Sequence, residues 1–291
     1  MRILVLGGNG MLGHKLFQVL GRDFEVFTTI RREFLAVERF AIFEQQRTLA
    51  NLDATSEKDL VGALEKVRPD VVINCVGIIK QIDSTPERMV QINTLLPRRL
   101  ARLSAELSFR LISISTDCVF SGTKGNYTET DTADAHDPYG RSKRAGEVTG
   151  PNCLTVRTSI IGRELDTSHS LVEWFLSKRG SEVGGYVNAI YSGFPTLIFA
   201  EIVARLIRDH PDLSGLYHIS SDPISKFDLL DLVNKAYDAN VELAPDPSLV
   251  IDRSLDSAKF RTATGFIPES WNAMIERMAA DPTAYDGFRK A

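Results

Sequence analysis

Short apolar runs alternate with amphipathic stretches through the first half of the chain. Ile3–Leu6 is wholly apolar and stops at Gly7 and Gly8, Met11–Leu20 carries apolar residues at helical spacing, and Phe24–Thr29 is a second β-branched run. These predict a strand, a helix and a second strand, the unit that opens a parallel sheet. After an irregular stretch from Arg31 to Leu52, a helix is predicted from Ser56 to Val67, with Glu57 and Asp59 in the first turn, where they complement the helix dipole. Val71–Cys75, Leu111–Ser115 and Leu154–Arg157 predict further strands, and Pro86–Leu107 predicts a long helix carrying Pro97. Another strand, Gly215–Ile219, follows a helix around Leu197–Asp209. Apolar strands separated by helices require a parallel sheet covered on both faces, so the expected fold class is α/β, doubly wound.

From Gly162 the alternation loosens into a helix around Leu171–Ser177, a glycine-rich patch from Gly180 to Gly185, a helix from Ser225 to Tyr237, and a tail rich in Pro and Asp. A smaller C-terminal lobe is expected, interleaved with the sheet domain. Residues 1–160 plus about 187–220 are assigned to the sheet domain, and about 161–186 and 221–291 to the lobe.

The 291 residues are 43% hydrophobic and 25% charged, enough for a full core and unlike a disordered or fibrous chain. With 34 basic against 38 acidic residues there is no cationic excess to neutralise a phosphate backbone, so no nucleic-acid partner is expected. Cys75, Cys118 and Cys153 are odd in number and widely spaced, which gives neither a disulfide framework nor a zinc signature and points to the cytoplasm. The apolar start is too short for a signal-peptide core or a membrane span, so no membrane partner is expected. The five histidines never fall at helical metal-binding spacing, and no metal is expected.

Gly7, Gly10 and Gly13 stand between the first predicted strand and helix. Three glycines so spaced arise by chance about 0.09 times in a chain of this composition, before any demand on context. A tight turn needs positive φ, a pyrophosphate needs backbone with no Cβ in the way, and a helix N-terminus offers unpaired N–H groups. The turn therefore points to a dinucleotide. The second strand runs into Arg31 and Arg32 with no acidic residue before Glu33, which favours a 2′-phosphate over a 2′-hydroxyl, and so NADPH, with NADH as the alternative. Asp53 is placed either to meet the adenine edge or to cap a turn.

Tyr139 and Lys143 are spaced i,i+4 in PYGRSKRAGE and share one helical face. A phenol with a pKa near 10 donates at neutral pH only if its anion is favoured, and Lys143 is the cation expected to do that. The pair alone is weak, with about 0.26 chance matches per chain. It gains weight from Thr116, at the end of a predicted strand, whose hydroxyl can orient a carbonyl while Tyr139 protonates it.

With these residues in view the sequence resembles the extended branch of the short-chain dehydrogenase/reductases, and more closely the dTDP-4-dehydrorhamnose reductase family. The resemblance runs along nearly the whole chain, carried by GGNGMLG at 7–13, PDVVINCVG at 69–77, QINTLLPRRLA at 91–101, STDCVFSG at 115–122 and PYGRSKRAGE at 138–147. Weaker echoes are FPT at 194–196, GLYHIS at 215–220 and DRSLDSAKF at 252–260. It implies a Rossmann-type domain holding NADPH, a nucleotide-sugar lobe, and reduction of a 4-keto sugar. The catalytic set it implies is Thr116, Tyr139 and Lys143, with Asn93 supporting Lys143 through a kinked helix or a water. The cofactor set is Gly7, Asn9, Gly10, Met11, Leu12, Gly13, Arg31, Arg32, Asp53, Ala54, Cys75, Val76 and Gly77, together with Tyr139 and Lys143. The substrate set is Lys80, Asp117, Val119 and Arg253, and Trp271 is expected to anchor the final helix. Members of the superfamily dimerise through helices corresponding to Pro86–Leu107 and Tyr139–Val148.

One departure is Cys118, where the family usually has Tyr, which bears on which sugar is taken. Related 4,6-dehydratases place Asp-Glu after the Thr, whereas Asp117-Cys118 here lacks the base that elimination needs. A nucleotide-sugar epimerase needs only the trio, and a regulatory subunit like that of methionine adenosyltransferase shares the fold. Both remain alternatives.

Overall fold

The computed structural model describes residues 1–288. Six strands, β1 (Arg2–Leu6), β2 (Glu25–Thr29), β3 (Thr48–Leu49), β4 (Val71–Asn74), β5 (Arg110–Thr116) and β6 (Cys153–Thr158), join Gly215–His218 in one seven-stranded sheet. The order across it is Gly215–His218, β6, β5, β4, β1, β2, β3, and every pairing is parallel. The order reverses between β1 and β4, and ligands of such sheets sit in the crevice that this reversal opens at the strands' carboxyl ends.

The period of two in a strand divides β1 between two cores. Ile3 and Val5 join Leu16, Leu20, Ile198 and Val203 on the face covered by α1 (Gly13–Leu20) and the helix Thr196–Asp209. Leu4 and Leu6 join Leu60, Leu64, Leu100 and Leu103 on the other. Both faces are buried, which is why the strand had to be apolar throughout.

The predicted helix Pro86–Leu107 is one helical run with an interruption: α-helix over Pro86–Met89, a π-helical turn over Val90–Leu95, and α-helix over Leu96–Leu107. Pro97 has no N–H for the carbonyl of Asn93, four residues back, and its ring crowds that carbonyl. The wider turn relieves the clash and displaces Asn93.

Smaller sheets stand beside the large one. Ala189–Tyr191 pairs with Ile224–Ser225 and Ile251–Asp252, and Phe194–Pro195 pairs with Ile160–Ile161. The glycine-rich patch forms the strand Glu182–Tyr186, parallel to Glu242–Asp246. The tail contains two helices, Ala258–Thr264 and Trp271–Ala279. Trp271 is buried and its indole N–H donates to the Asp222 carbonyl at 2.7 Å, the anchoring role expected of it. Among the described residues no helix is long and apolar enough to cross a membrane.

Candidate active site

The glycine turn follows β1 at the crevice. Gly7 has φ +82°, and a Cβ there would press on Val76 just beyond β4. A Cβ on Gly13 would lie 2.1 Å from the Gly7 carbonyl, so helix and turn close on each other only because that atom is missing. A Cβ on Gly10 would meet nothing but the Gly7 carbonyl, at 3.3 Å, and the outer side of the turn is open. Intrahelical bonding starts with the His14 amide to Gly10 O at 3.2 Å, which leaves the Met11, Leu12 and Gly13 amides without an intrahelical acceptor, whereas the Gly10 amide is already bonded to Gly7 O at 3.1 Å. A backbone stripped of side-chain bulk at a helix N-terminus fits a dinucleotide pyrophosphate. Asn9 and Met11 are half-buried at the opening, whereas Leu12 is buried in the core beneath it.

Arg31 and Arg32, beyond β2, are both exposed. They diverge: Arg32 approaches Asp166 at 3.8 Å, while the charges of Arg31 and Arg88 reach Asp53. The Asp53 carboxylate accepts the Thr55 amide at 2.8 Å and its hydroxyl at 2.7 Å, and these bonds hold its pKa below the ordinary value. Asp53 thus shapes its own turn. Ala54 is half-buried against the core cluster of Leu52 and Leu60. Beyond β4, Cys75 and Val76 are half-buried and Gly77 is exposed, its Cα side 4.0 Å from Lys143 Nζ when measured from an added Cβ.

The helix Pro138–Ala145 is capped by Asp137, which accepts the Gly140 amide at 3.0 Å. A Cβ at Gly140 would lie 2.3 Å from the Cys118 carbonyl, so this glycine lets the helix rest directly on the turn after β5. That contact brings Tyr139 to Thr116. Burial is the largest influence on the Tyr139 phenol and pushes its pKa up, aided by Cys118, Asp117 and Asp137; the Thr116 hydroxyl is the group that pulls it down. Thr116 Oγ1 also donates to Asp117 Oδ1 and accepts the Cys118 amide, both at 3.1 Å.

Lys143 donates to the Ile114 carbonyl at 2.7 Å. Burial lowers its pKa to about 8, against the opposing pull of Glu147 and Cys75. Asn93 does not touch it. The Asn93 amide clasps the Ile78 backbone, accepting its N–H at 2.9 Å and donating to its carbonyl at 3.0 Å, and donates to Ser142 Oγ at 3.1 Å. Its hold on Lys143 runs through the neighbouring Ser142.

Of the expected substrate contacts, Lys80 is exposed and 3.7 Å from Asp137. Arg253 donates to the carbonyls of Phe120 at 2.9 Å and Ser121 at 3.3 Å. Asp117 is buried, and desolvation raises its pKa. The Val119 side chain is fully buried among Phe120, Tyr127, Ala133 and Leu255, so it packs the turn instead of facing a ligand. The Cys75 and Cys118 thiols are both pushed up to about 12, mainly by burial, and stay protonated at neutral pH. Sequence reading missed Ser142, Glu147 and Tyr191. Glu147 accepts Ser115 Oγ at 2.7 Å and both arms of Arg157, and Tyr191 is buried with its pKa raised by desolvation and by Asp117. Ser142 and Glu147 lie inside the PYGRSKRAGE stretch, but nothing in its spacing singles them out, and Tyr191 lies in none of the stretches that carry the resemblance.

The chain matches the family described as RmlD substrate binding domain over residues 1–283. The dTDP-4-dehydrorhamnose reductase of Salmonella typhimurium is 27% identical over 256 residues, covering 79% of this chain and 85% of that one. Methionine adenosyltransferase 2 subunit beta of Xenopus laevis is 23% identical, covering 94% of this chain and 80% of that one. The crystal structure of a hypothetical dTDP-4-dehydrorhamnose reductase from Sulfolobus tokodaii superposes with a TM-score of 0.77 at 26% identity, over 94% of this chain and 99% of the other. That of a Bacillus anthracis dTDP-4-dehydrorhamnose reductase in complex with NADP gives 0.79 at 22% identity, over 96% and 99%, and speaks to the fold.

Proposed function

The chain belongs to the RmlD substrate binding domain family, and from that premise we propose that it catalyses NADPH-dependent reduction of the 4-keto group of a nucleotide-linked 6-deoxy sugar. The observation that carries this reading is the meeting of Tyr139 with Thr116 at the carboxyl end of β5, with Lys143 one helical turn on. The dinucleotide, held at the glycine turn, would supply the hydride that the carbonyl carbon gains. Tyr139 gives its phenolic proton to the carbonyl oxygen as that oxygen becomes a hydroxyl. Thr116 orients the carbonyl, and Lys143 would hold the nicotinamide ribose. Gly7, Gly10 and Gly13 receive the pyrophosphate, and Arg31 the 2′-phosphate. Asp117, Arg253 and Lys80 border the sugar-nucleotide side, with the cofactor in the large-sheet domain and the sugar toward the smaller sheets. The three free cysteines support a cytoplasmic location. A homodimer through Pro86–Leu107 and Tyr139–Val148 is part of this proposal, supported by the exposure of Val90 and Leu95 on the first run.

The test is NADPH oxidation followed by absorbance across a panel of nucleotide-linked 4-keto-6-deoxy sugars. Stoichiometric consumption with one of them is expected. Interconversion of sugars without consumption identifies an epimerase, and no turnover with any of them identifies a binding subunit.

A further inference from the structure

Segment 281–288 is fastened to α1, behind the glycine turn, by polar contacts with little access to water. Lys15 is 3% exposed and donates to Asp281 Oδ2 at 2.6 Å and Thr283 Oγ1 at 3.1 Å. His14, wholly buried, lies between the turn and the tail: Nδ1 is 2.8 Å from the Gly10 carbonyl and Nε2 is 2.8 Å from the Tyr285 hydroxyl. A carbonyl only accepts, so Nδ1 carries the proton. Burial keeps the ring neutral at physiological pH, with a pKa near 4, so Nε2 is an acceptor and the Tyr285 hydroxyl donates to it. The Tyr285 ring is itself fixed, edge-on to His14 and beneath Arg163, whose guanidinium is 5.0 Å from its centre and pairs with Glu173 and Asp286.

We propose that Tyr285 is a positioning residue for dinucleotide binding, acting through His14 on the Gly10–Met11 peptide. This rests on the reading of the glycine turn as an NADPH site. The Gly10 carbonyl and the Met11 N–H belong to one planar trans peptide and point in opposite directions. Drawing the carbonyl toward His14 directs the Met11 N–H the other way, to the open side of the turn. Without the Tyr285 hydroxyl, Nε2 is a buried acceptor with no donor. The ring is then free to shift, and its Nδ1–H no longer fixes the Gly10 carbonyl, which is left to the His14 backbone amide at 3.2 Å alone, so the aim of the peptide loosens. The family match ends at residue 283, so Tyr285 stands outside the matched stretch.

The experiment measures NADPH dissociation constants, by titration calorimetry, and melting temperatures for wild type, Tyr285→Phe, His14→Gln and the double variant. Phenylalanine keeps the ring and loses only the hydroxyl. The expected result is about fivefold weaker NADPH binding in Tyr285→Phe, with the double variant no weaker than His14→Gln alone. A lower melting temperature with NADPH affinity within twofold of wild type assigns Tyr285 a purely structural role and overturns the inference. Independent, multiplying effects of the two substitutions overturn the route through His14. If Tyr285→Phe does not fold, a His14→Gln variant that folds and binds NADPH as tightly as wild type overturns it equally. Wild type that fails to bind NADPH overturns the proposed function as well, whereas tight binding by both wild type and Tyr285→Phe overturns this inference alone.

Discussion

Asn93→Ala removes the amide that ties the π-helical turn to the loop after β4 and to the helix bearing Tyr139 and Lys143. Asn93 is 1% exposed, and its three hydrogen bonds leave the Ile78 N–H, the Ile78 carbonyl and Ser142 Oγ to be satisfied otherwise. Ser142 retains a partner, because its hydroxyl also donates to the Tyr139 carbonyl at 2.8 Å. The two Ile78 groups are the real loss. Each buried polar group stripped of its partner costs about 1–3 kcal/mol, and water entering the space left by the amide recovers part of it, so a loss of about 2–4 kcal/mol is expected. At roughly 2 °C per kcal/mol for a chain of this size, the melting temperature should fall by about 4–8 °C. Lys143 lies next to Ser142 in the chain, so kcat measured on the folded fraction should fall about tenfold or more through misplacement of that helix. The assay pairs thermal melting with NADPH oxidation under saturating sugar nucleotide. A drop in melting temperature with kcat intact reduces Asn93 to a structural brace, and a loss below about 1 kcal/mol refutes the accounting of the Ile78 groups.

Tyr139→Phe should lower kcat by about 10² or more while NADPH still binds; full turnover removes the phenol from the proton transfer. Arg31→Ala should weaken NADPH more than NADH, and equal effects on the two affinities dismiss the 2′-phosphate contact. Burial holds the Lys143 pKa in the fold at about 8, below the 10.5 of the unfolded chain. Between those values the unfolded chain binds the extra proton, so this group's contribution to folding stability rises with pH while its attraction for an anionic cofactor falls. Melting temperature and NADPH affinity of wild type and Lys143→Met, compared from pH 7 to 10, should separate those opposite trends; identical pH profiles in both proteins contradict the assignment.

What was legible in the sequence followed from strict local periodicity. Ile3–Leu6 and Val71–Asn74 must be apolar on both faces because helices cover both sides of the sheet, and such runs are read without knowing their partners. The strand Glu182–Tyr186 was not legible, because two of its five residues are glycines and it is defined by its pairing with Glu242–Asp246, some sixty positions away. The final helix, expected from Trp271 on, carried a local signal of the same kind: Trp271, Met274, Ile275 and Met278 are spaced by three and four, and all are buried. The same division holds at the site. Thr116, Tyr139 and Lys143 lie on elements whose ends the sequence marks, whereas Ser142 and Glu147 matter only through Asn93 and Arg157, partners that the fold supplies.

The spacing of Tyr139 and Lys143 led to the expectation that the lysine draws the phenol's pKa down. The arrangement of charges is different. Lys143 donates a hydrogen bond to the Ile114 carbonyl and is itself held to a pKa of about 8, while Tyr139 is buried and faces Cys118, Asp117 and Asp137, all of which favour the neutral phenol. A phenol so placed keeps its proton at neutral pH until something nearby needs it. That suits a proton donor for a carbonyl being reduced and is poorly suited to a resting base that must start by removing a proton from a hydroxyl. Thr116 favours the tyrosinate only when its hydroxyl donates to it, and that single proton is committed to Asp117 Oδ1 at 3.1 Å. When Thr116 turns toward a bound carbonyl, that bond to Asp117 is given up, and the buried carboxylate loses a donor that had favoured its charge. The state of Asp117 is thereby linked to substrate binding, so Asp117→Asn should change the pH dependence of KM for the sugar nucleotide more than that of kcat. A pH profile of KM that is unaltered in Asp117→Asn breaks that link.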